Sequence, residues 1–546
     1  MLPLTPPRRA RPGAVVTALL SGAFTLLGLG APCEAQPAPA GPLDREALER
    51  LCARGNGSAC REAGVAFAEG RGGARDEVHA VALFRRACAR RDHGGCYNLA
   101  TMLDDGRGVA ADPARAAPLY TLPCSFGDAA ACNRLGLLFQ DGRGVARDES
   151  AAVLRFGQSC FGGGGAGCYN LAAMYEDGRG VARDEALAAR HYQDACNRGC
   201  TAGCTGLGRL HDAGRGVPRN PEFALALFRQ ACDGHDLLGC VNLGALYEAG
   251  RGVAADPAAA AALYQQACDA HEVQGCGALG RLYDTGRGVP ADPTRAAALY
   301  RQACDAGRHA MCLNLGQLYE SGRGVATDLA AATALFRQAC AHDVGAGCAA
   351  LAAAYEAGRG VPADAARALQ LYEQVCQAGD ADGCLRGAAM LTAGRAVPVD
   401  PPRLARLYQG ACNHGSLAGC SNLGRMYDEG AGVAANPALA TALYQRACNG
   451  GFLWACCNLG AMLAAGRGGP RNPPMAVALF QQSCSQGEML GCSHLGVMTE
   501  RGTGVAADPL AAAALFRQAC TGGVSAACEH LARLCRDGVT GACAPR

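Results

Sequence analysis

The sequence predicts an all-α fold, a solenoid of stacked helix pairs with one pair in every 36 residues. Three observations carry that expectation. Cysteine pairs of the form C-x7-C recur every 36 residues, from Cys52 with Cys60 to Cys520 with Cys528, without one insertion or deletion. Between them, apolar and small residues fall at i, i+3, i+4 and i+7 twice per period, the stripe of an amphipathic helix each time. Each period also carries a glycine-rich loop followed by Asp or Asn. A chain of 546 residues is too long for one ordinary core, and the fixed period selects a repeat array over several separate domains.

Residues 1–35 are expected to be a secretion signal. Arg8, Arg9 and Arg11 make a basic start, AVVTALLSGAFTLLGLG is an apolar stretch, and cleavage is expected after Ala35. The alternative is an uncleaved membrane anchor, for which the run is short. Cys33 follows a proline, a poor context for lipid attachment. Residues 36–43 are a short linker. Residues 44–60, DREALERLCARGNGSAC, read as a lone helix B that caps the N-terminal end, because both ends of a solenoid need such covers.

Thirteen repeats then fill residues 61–528. In one of them Cys240, Leu243, Gly244 and Tyr247 mark helix A, and Ala260, Leu263, Tyr264, Ala267 and Cys268 mark helix B. Gly250 can take the left-handed conformation that ends helix A. Asp256 and Pro257 then start helix B as cap and first-turn residue. The same cap position holds Asp or Asn in all thirteen repeats, from Asp76 through Asn220, Asn436 and Asn472 to Asp508. One phase of helix B is always aromatic, as at Phe84, Tyr120, Phe156 and Tyr192, which is the mark of packing between stacked helices. Residues 529–546 form the C-terminal cap.

Cleavage after Ala35 removes Cys33 and leaves thirty cysteines in fifteen pairs, with Cys200 and Cys457 left over. Such even pairing in an exported chain points to disulfides. The expected pairs are Cys52 with Cys60, Cys88 with Cys96, Cys124 with Cys132, Cys160 with Cys168, Cys196 with Cys204, Cys232 with Cys240, Cys268 with Cys276 and Cys304 with Cys312. They continue as Cys340 with Cys348, Cys376 with Cys384, Cys412 with Cys420, Cys448 with Cys456, Cys484 with Cys492, Cys520 with Cys528 and, off the period, Cys535 with Cys543. Each in-period pair joins the end of one helix B to the start of the next helix A. The tight turn there can bring two Cα atoms within the roughly 4.4 to 6.8 Å that a bridge requires. Zinc sites favour C-x2-4-C clusters, and no CxxC occurs. Each short bridge is worth roughly 2 to 3 kcal/mol by loop entropy. For Cys200 and Cys457 three roles stay open: free thiols, an intermolecular link, or competition for their neighbours' pairings.

The phrase LGALYEAGRGVAADPAAAAALYQQAC resembles the Sel1-like repeat, a relative of the tetratricopeptide repeat. With C-x7-C joining consecutive helices, the chain is similar to the Helicobacter cysteine-rich protein family in particular, over about residues 44–540. The resemblance implies a right-handed α/α superhelix with a groove, disulfides inside the repeats, and export. Members of that family carry a penicillin-binding or β-lactamase label, and others are secreted proteins that engage host or envelope partners. Departures from the pattern are local. Ala396 replaces a loop glycine, Ala431 and Thr503 replace the loop arginine, and Gly73 and Gly469 replace the loop valine.

Composition narrows the function. Net charge is +2 with no basic run after the N-terminus, so nucleic acid is not an expected partner. All fifty basic residues are arginine, so the lysine of S-x-x-K and K-T-G is missing. The eleven histidines are scattered and form no H-x-H-x-D. No catalytic residue, metal or cofactor is therefore assigned. Any β-lactam hydrolysis would need a new site built from groove residues.

Two rows of side chains are candidate contacts. Two residues after the second cysteine, the chain has Asn98, Arg134, Asn170, Asn242, Asn314, Arg386, Asn422, Asn458 and His494. Asparagines in register could hold an extended peptide backbone, or could merely fix stacking between repeats. The loop arginines, such as Arg143, Arg215, Arg251 and Arg323, read as turn scaffolding paired with acids just upstream, among them Asp177, Glu248 and Asp284. Their alternative is a row that meets carboxylates or phosphates on a polymer. The expected function is an exported scaffold, secreted or periplasmic and without a membrane span after cleavage, that holds a protein or peptide in its groove. The second reading is a protein that binds β-lactams or peptidoglycan peptides with weak hydrolysis.

Overall fold

A computed structural model describes residues 33, 44–394, 398–539 and 542–543. The expected signal, apart from Cys33, the linker and the departure at Ala396 lie outside the described residues. Those residues form twenty-eight α-helices and no strand. Every helix has thirteen residues except the first, Arg45–Ala53, and the last, Ser525–Arg536. The chain falls into two compact halves, Met1–Ala270 and His271–Arg546. Within each half, every helix packs against the helix before it and the helix after it.

One repeat shows why the sequence folds this way. Helix A, Leu237–Ala249, starts at Asp236, whose carboxylate accepts from the Leu238 N–H. It ends at Gly250, φ +67°, where the glycine N–H donates to the Leu246 carbonyl. Helix B, Pro257–Asp269, starts at Asp256, whose side chain accepts from the Ala258 and Ala259 N–H groups. The Asp256 N–H donates to the Tyr247 carbonyl at 2.9 Å and closes the loop.

The second loop glycine has a different task. Gly252 has φ +69°, and a Cβ there would lie 2.5 Å from the Pro221 carbonyl carbon, on the first turn of the preceding helix B. Loop and helix touch backbone to backbone, so only glycine fits.

The core is a row of fully buried aromatics. Tyr120, Phe156, Tyr192, Phe228 and Tyr264 lie in the first half, and Tyr300, Phe336, Tyr372, Phe480 and Phe516 in the second. Helix A often meets the ring with a glycine. A Cβ on Gly136 would lie 2.6 Å from Phe156, and one on Gly460 would lie 2.6 Å from Phe480.

Fourteen of the C-x7-C pairs form disulfides whose Cα–Cα distances run from 4.4 to 4.9 Å. In the first half these are Cys52–Cys60, Cys88–Cys96, Cys124–Cys132, Cys160–Cys168, Cys196–Cys204 and Cys232–Cys240. In the second half they are Cys304–Cys312, Cys340–Cys348, Cys376–Cys384, Cys412–Cys420, Cys448–Cys456, Cys484–Cys492, Cys520–Cys528 and Cys535–Cys543. Cys268 in the first half and Cys276 in the second are disulfide-bonded as well. Most of these cysteines are buried, so the staples sit inside the turn between repeats.

Of the two cysteines expected to be left over after cleavage, Cys200 has a partner in the uncut chain. In the full chain Cys200 is bonded to Cys33, with Cα atoms 4.1 Å apart. Removing Cys33 with the expected signal hides this partner from a count of the mature chain. Cys200 occupies the N-cap of Thr201–Ala213, a position held in several other repeats by Asp. Cys457 is free and buried, and burial pushes its thiol up to about 11.

Candidate binding face

Helices A lie closer to one another than most helices B. Thr201–Ala213 touches Leu237–Ala249 directly, and Leu453–Ala465 touches Met489–Arg501. The asparagine row lies on helices A.

All six asparagines of the row are half-buried. Three are engaged within the protein. Asn170 donates to the Asn133 side chain of the preceding repeat at 2.8 Å, Asn242 to the Leu238 carbonyl at 2.9 Å, and Asn314 lies 3.8 Å from the Met311 sulfur. The other three, Asn98, Asn422 and Asn458, have no side-chain hydrogen-bond partner among the described residues. Arg134 and Arg386, at the same phase, pair with Asp105 and Asp382. The row is thus part stacking device and part open polar surface.

The loop arginines behave more uniformly. Arg143 pairs with Asp104, Arg215 with Glu176, Arg251 with Asp212, Arg323 with Asp284, Arg359 with Glu320 and Arg467 with Asp428, at 2.5 to 3.2 Å. Each of these acids stands 39 residues before its arginine, on helix A of the preceding repeat. The commonest pair is therefore a rung between repeats rather than a link within one loop. The upstream pairing expected from sequence is the minority arrangement. It occurs at Arg71 with Glu69, 2.7 Å, at Arg179 with Asp177, 3.2 Å, and more loosely at Arg143 with Asp141, 3.7 Å.

Some rungs take in the core tyrosine. The Tyr192 hydroxyl donates to Glu176 at 2.7 Å, and Arg209 and Arg215 hold the same carboxylate at 3.0 and 3.2 Å. Burial and the adjacent Glu176 charge push the Tyr192 phenol well above its usual range. Asp104 is a costlier rung. Its side chain is fully buried, one oxygen lacks a partner, and burial raises its carboxyl despite Arg143.

The rung leaves a trace in sequence that spacing alone would have found. Where the loop arginine is lost, at Ala431 and Thr503, the position 39 residues earlier holds Thr392 and Ala464. Arginine and acid disappear together. The converse is looser: Arg107 and Arg179 stand 39 residues after Ala68 and Gln140, and Arg107 turns to Glu77 at 2.9 Å instead.

Among the described residues, Cys160, His191 and Asp194 converge closely enough to suggest a metal site. The Cys160 sulfur is bonded to Cys168, so it offers no thiolate.

Comparison with known proteins decides the family. Twelve stretches match the Sel1 repeat: residues 57–92, 93–122, 129–154, 165–200, 201–236, 237–271, 273–307, 309–344, 345–380, 417–452, 455–488 and 490–524. The chain belongs to the Sel1 repeat family. The gap from 381 to 416 contains the repeat in which Ala396 breaks the loop glycine. A protective antigen of uropathogenic Escherichia coli strains with an SLR fold is 23% identical, with TM-score 0.55, over 90% of this Sel1 repeat chain and 97% of its own. A Sel1 repeat protein from Oxalobacter formigenes is 22% identical, with TM-score 0.42, over 45% of this chain and 96% of its own. The first likeness shows a shared fold. No curated protein sequence matches this Sel1 repeat chain. The β-lactam hydrolase expectation finds no support in these likenesses.

Proposed function

We propose that this Sel1 repeat protein is an exported scaffold whose helix A face holds a protein or extended peptide. The observation that carries the reading is the division between the two polar rows. Most loop arginines are engaged in rungs and others in pairs with nearby acids, whereas Asn98, Asn422 and Asn458 present amides with nothing among the described residues to bind. A primary amide offers donor and acceptor together, which matches the donor and acceptor of a peptide backbone. Asn422 and Asn458 sit in consecutive repeats, so one extended chain can meet both. The many disulfides favour an oxidising compartment outside the cytoplasm. No helix among the described residues is long and apolar enough to cross a membrane.

The test is a selection of peptides against the oxidised protein, followed by titration of a double variant, Asn422→Ala with Asn458→Ala. Losing two hydrogen bonds to the ligand should weaken the selected peptides about tenfold with the circular dichroism spectrum unchanged. Unaltered affinity in the double variant would contradict the reading.

A further inference from the structure

One broken rung lies at an open pocket. In the second half, Ala464 and Thr503 stand where an acid and its arginine would meet, and both line an open cavity of about 290 Å³. Phe480 and Met498 form part of its wall, and the His494 ring stacks on Phe480 with centroids 5.1 Å apart. Arg471 and Arg501 flank it, and no Asp or Glu lines it.

The two guanidinium groups have no carboxylate within ion-pair distance among the described residues. Arg471 donates through Nε to the Ala464 carbonyl at 3.0 Å, which leaves its terminal nitrogens unpaired. Arg501 makes no side-chain hydrogen bond there. The acid next to it in sequence, Glu500, is held by Arg533 at 2.7 and 2.8 Å. Burial holds the His494 imidazole below its usual pKa, so the positive charge of the site comes from the arginines.

Two unpaired planar donors beside a small apolar wall select one negative group on a small apolar body. We propose that the cavity lined by Ala464 and Thr503 binds a carboxylate carried on a short apolar group. A free small acid and the last residue of a peptide share this chemistry. The peptide source rests on the function proposed above, because His494 continues the row of Asn422 and Asn458 into the cavity.

Titration calorimetry of the oxidised full chain tests this with N-acetyl-leucine, N-acetyl-leucinamide and a short peptide ending in leucine with a free carboxylate. The acid should bind and the amide should not. Arg501→Gln, at an exposed position, should weaken the acid about tenfold, the loss of one charge-assisted pair. Ala464→Glu combined with Thr503→Arg rebuilds the rung with residue types that other repeats carry, and should abolish binding while the melting curve stays intact. A peptide that binds more tightly than N-acetyl-leucine, and is weakened by Asn422→Ala with Asn458→Ala, assigns the site to a chain end. Equal binding of peptide and N-acetyl-leucine assigns it to free acids, and the cavity then stands apart from the groove reading. No binding by the unaltered chain, equal binding of acid and amide, or indifference to both the Arg501 and the rung variants overturns the proposal.

Discussion

Glu176 and Ala464 occupy the same position of their repeats and lead opposite lives. Around Glu176 meet Tyr192, Arg209 and Arg215. Around Ala464 there is a cavity, with Phe480 in place of the tyrosine and Thr503 in place of the arginine. Yet both regions keep thirteen-residue helices, capped helix B starts at Asp184 and Asn472, and turn disulfides at Cys196–Cys204 and Cys484–Cys492. The rung is therefore not what holds the array. Buried aromatics, caps and staples hold it, and the rung is free to vary, so its loss does not break the stack.

The strongest way to break that comparison is to empty the aromatic row in both regions. Phe156→Ala and Phe480→Ala each leave a cavity at a fully buried ring and should each cost about 3 to 5 kcal/mol. Chemical denaturation measures both, and a small loss in either would mean that the rung matters more than the aromatics. A milder change sharpens the contrast. Arg215→Ala leaves the nearly buried Glu176 with Arg209 and Tyr192, and should cost about 1 kcal/mol. The corresponding Thr503→Ala should leave the melting temperature where it is.

The smallest effect concerns Asp104, whose raised carboxyl keeps its proton to higher pH when folded than when unfolded. Its contribution to stability is fully present below the ordinary value of 3.8 and falls as pH rises through the folded value. Asp104→Asn should remove that part of the pH dependence. A melting temperature that varies with pH as before would show that the buried carboxyl does not titrate in this way.

How much of this was legible in the sequence depends on the reach of each signal. Gly250 and Asp256 act on their own helices, and their roles could be read from local chemistry. The staples were legible too, because both cysteines of a pair such as Cys412–Cys420 or Cys448–Cys456 flank one turn. Gly136 acts against Phe156 on a neighbouring helix, so its small size has no local reason, and the close approach of Gly252 to Pro221 is likewise hidden behind its own left-handed turn. The arginine row was legible as scaffolding, but most of its partners lie one repeat back rather than in the same loop. The asparagine row was legible as a row, while its division into engaged Asn170, Asn242 and Asn314 and open Asn98, Asn422 and Asn458 depends on tertiary neighbours. Cys33 finds Cys200 across 167 residues, a pairing no spacing rule reaches. The cavity had a sequence trace after all, in the joint loss of acid and arginine at Ala464 and Thr503.

The most direct test of the account is hydrogen exchange read by mass spectrometry, with and without a selected peptide bound to the oxidised protein. The account predicts protection on the helices A that carry Asn422 and Asn458, Leu417–Glu429 and Leu453–Ala465, and none on the helix B between them, Pro437–Asn449. Protection of Pro437–Asn449 with both helices A unchanged would contradict it.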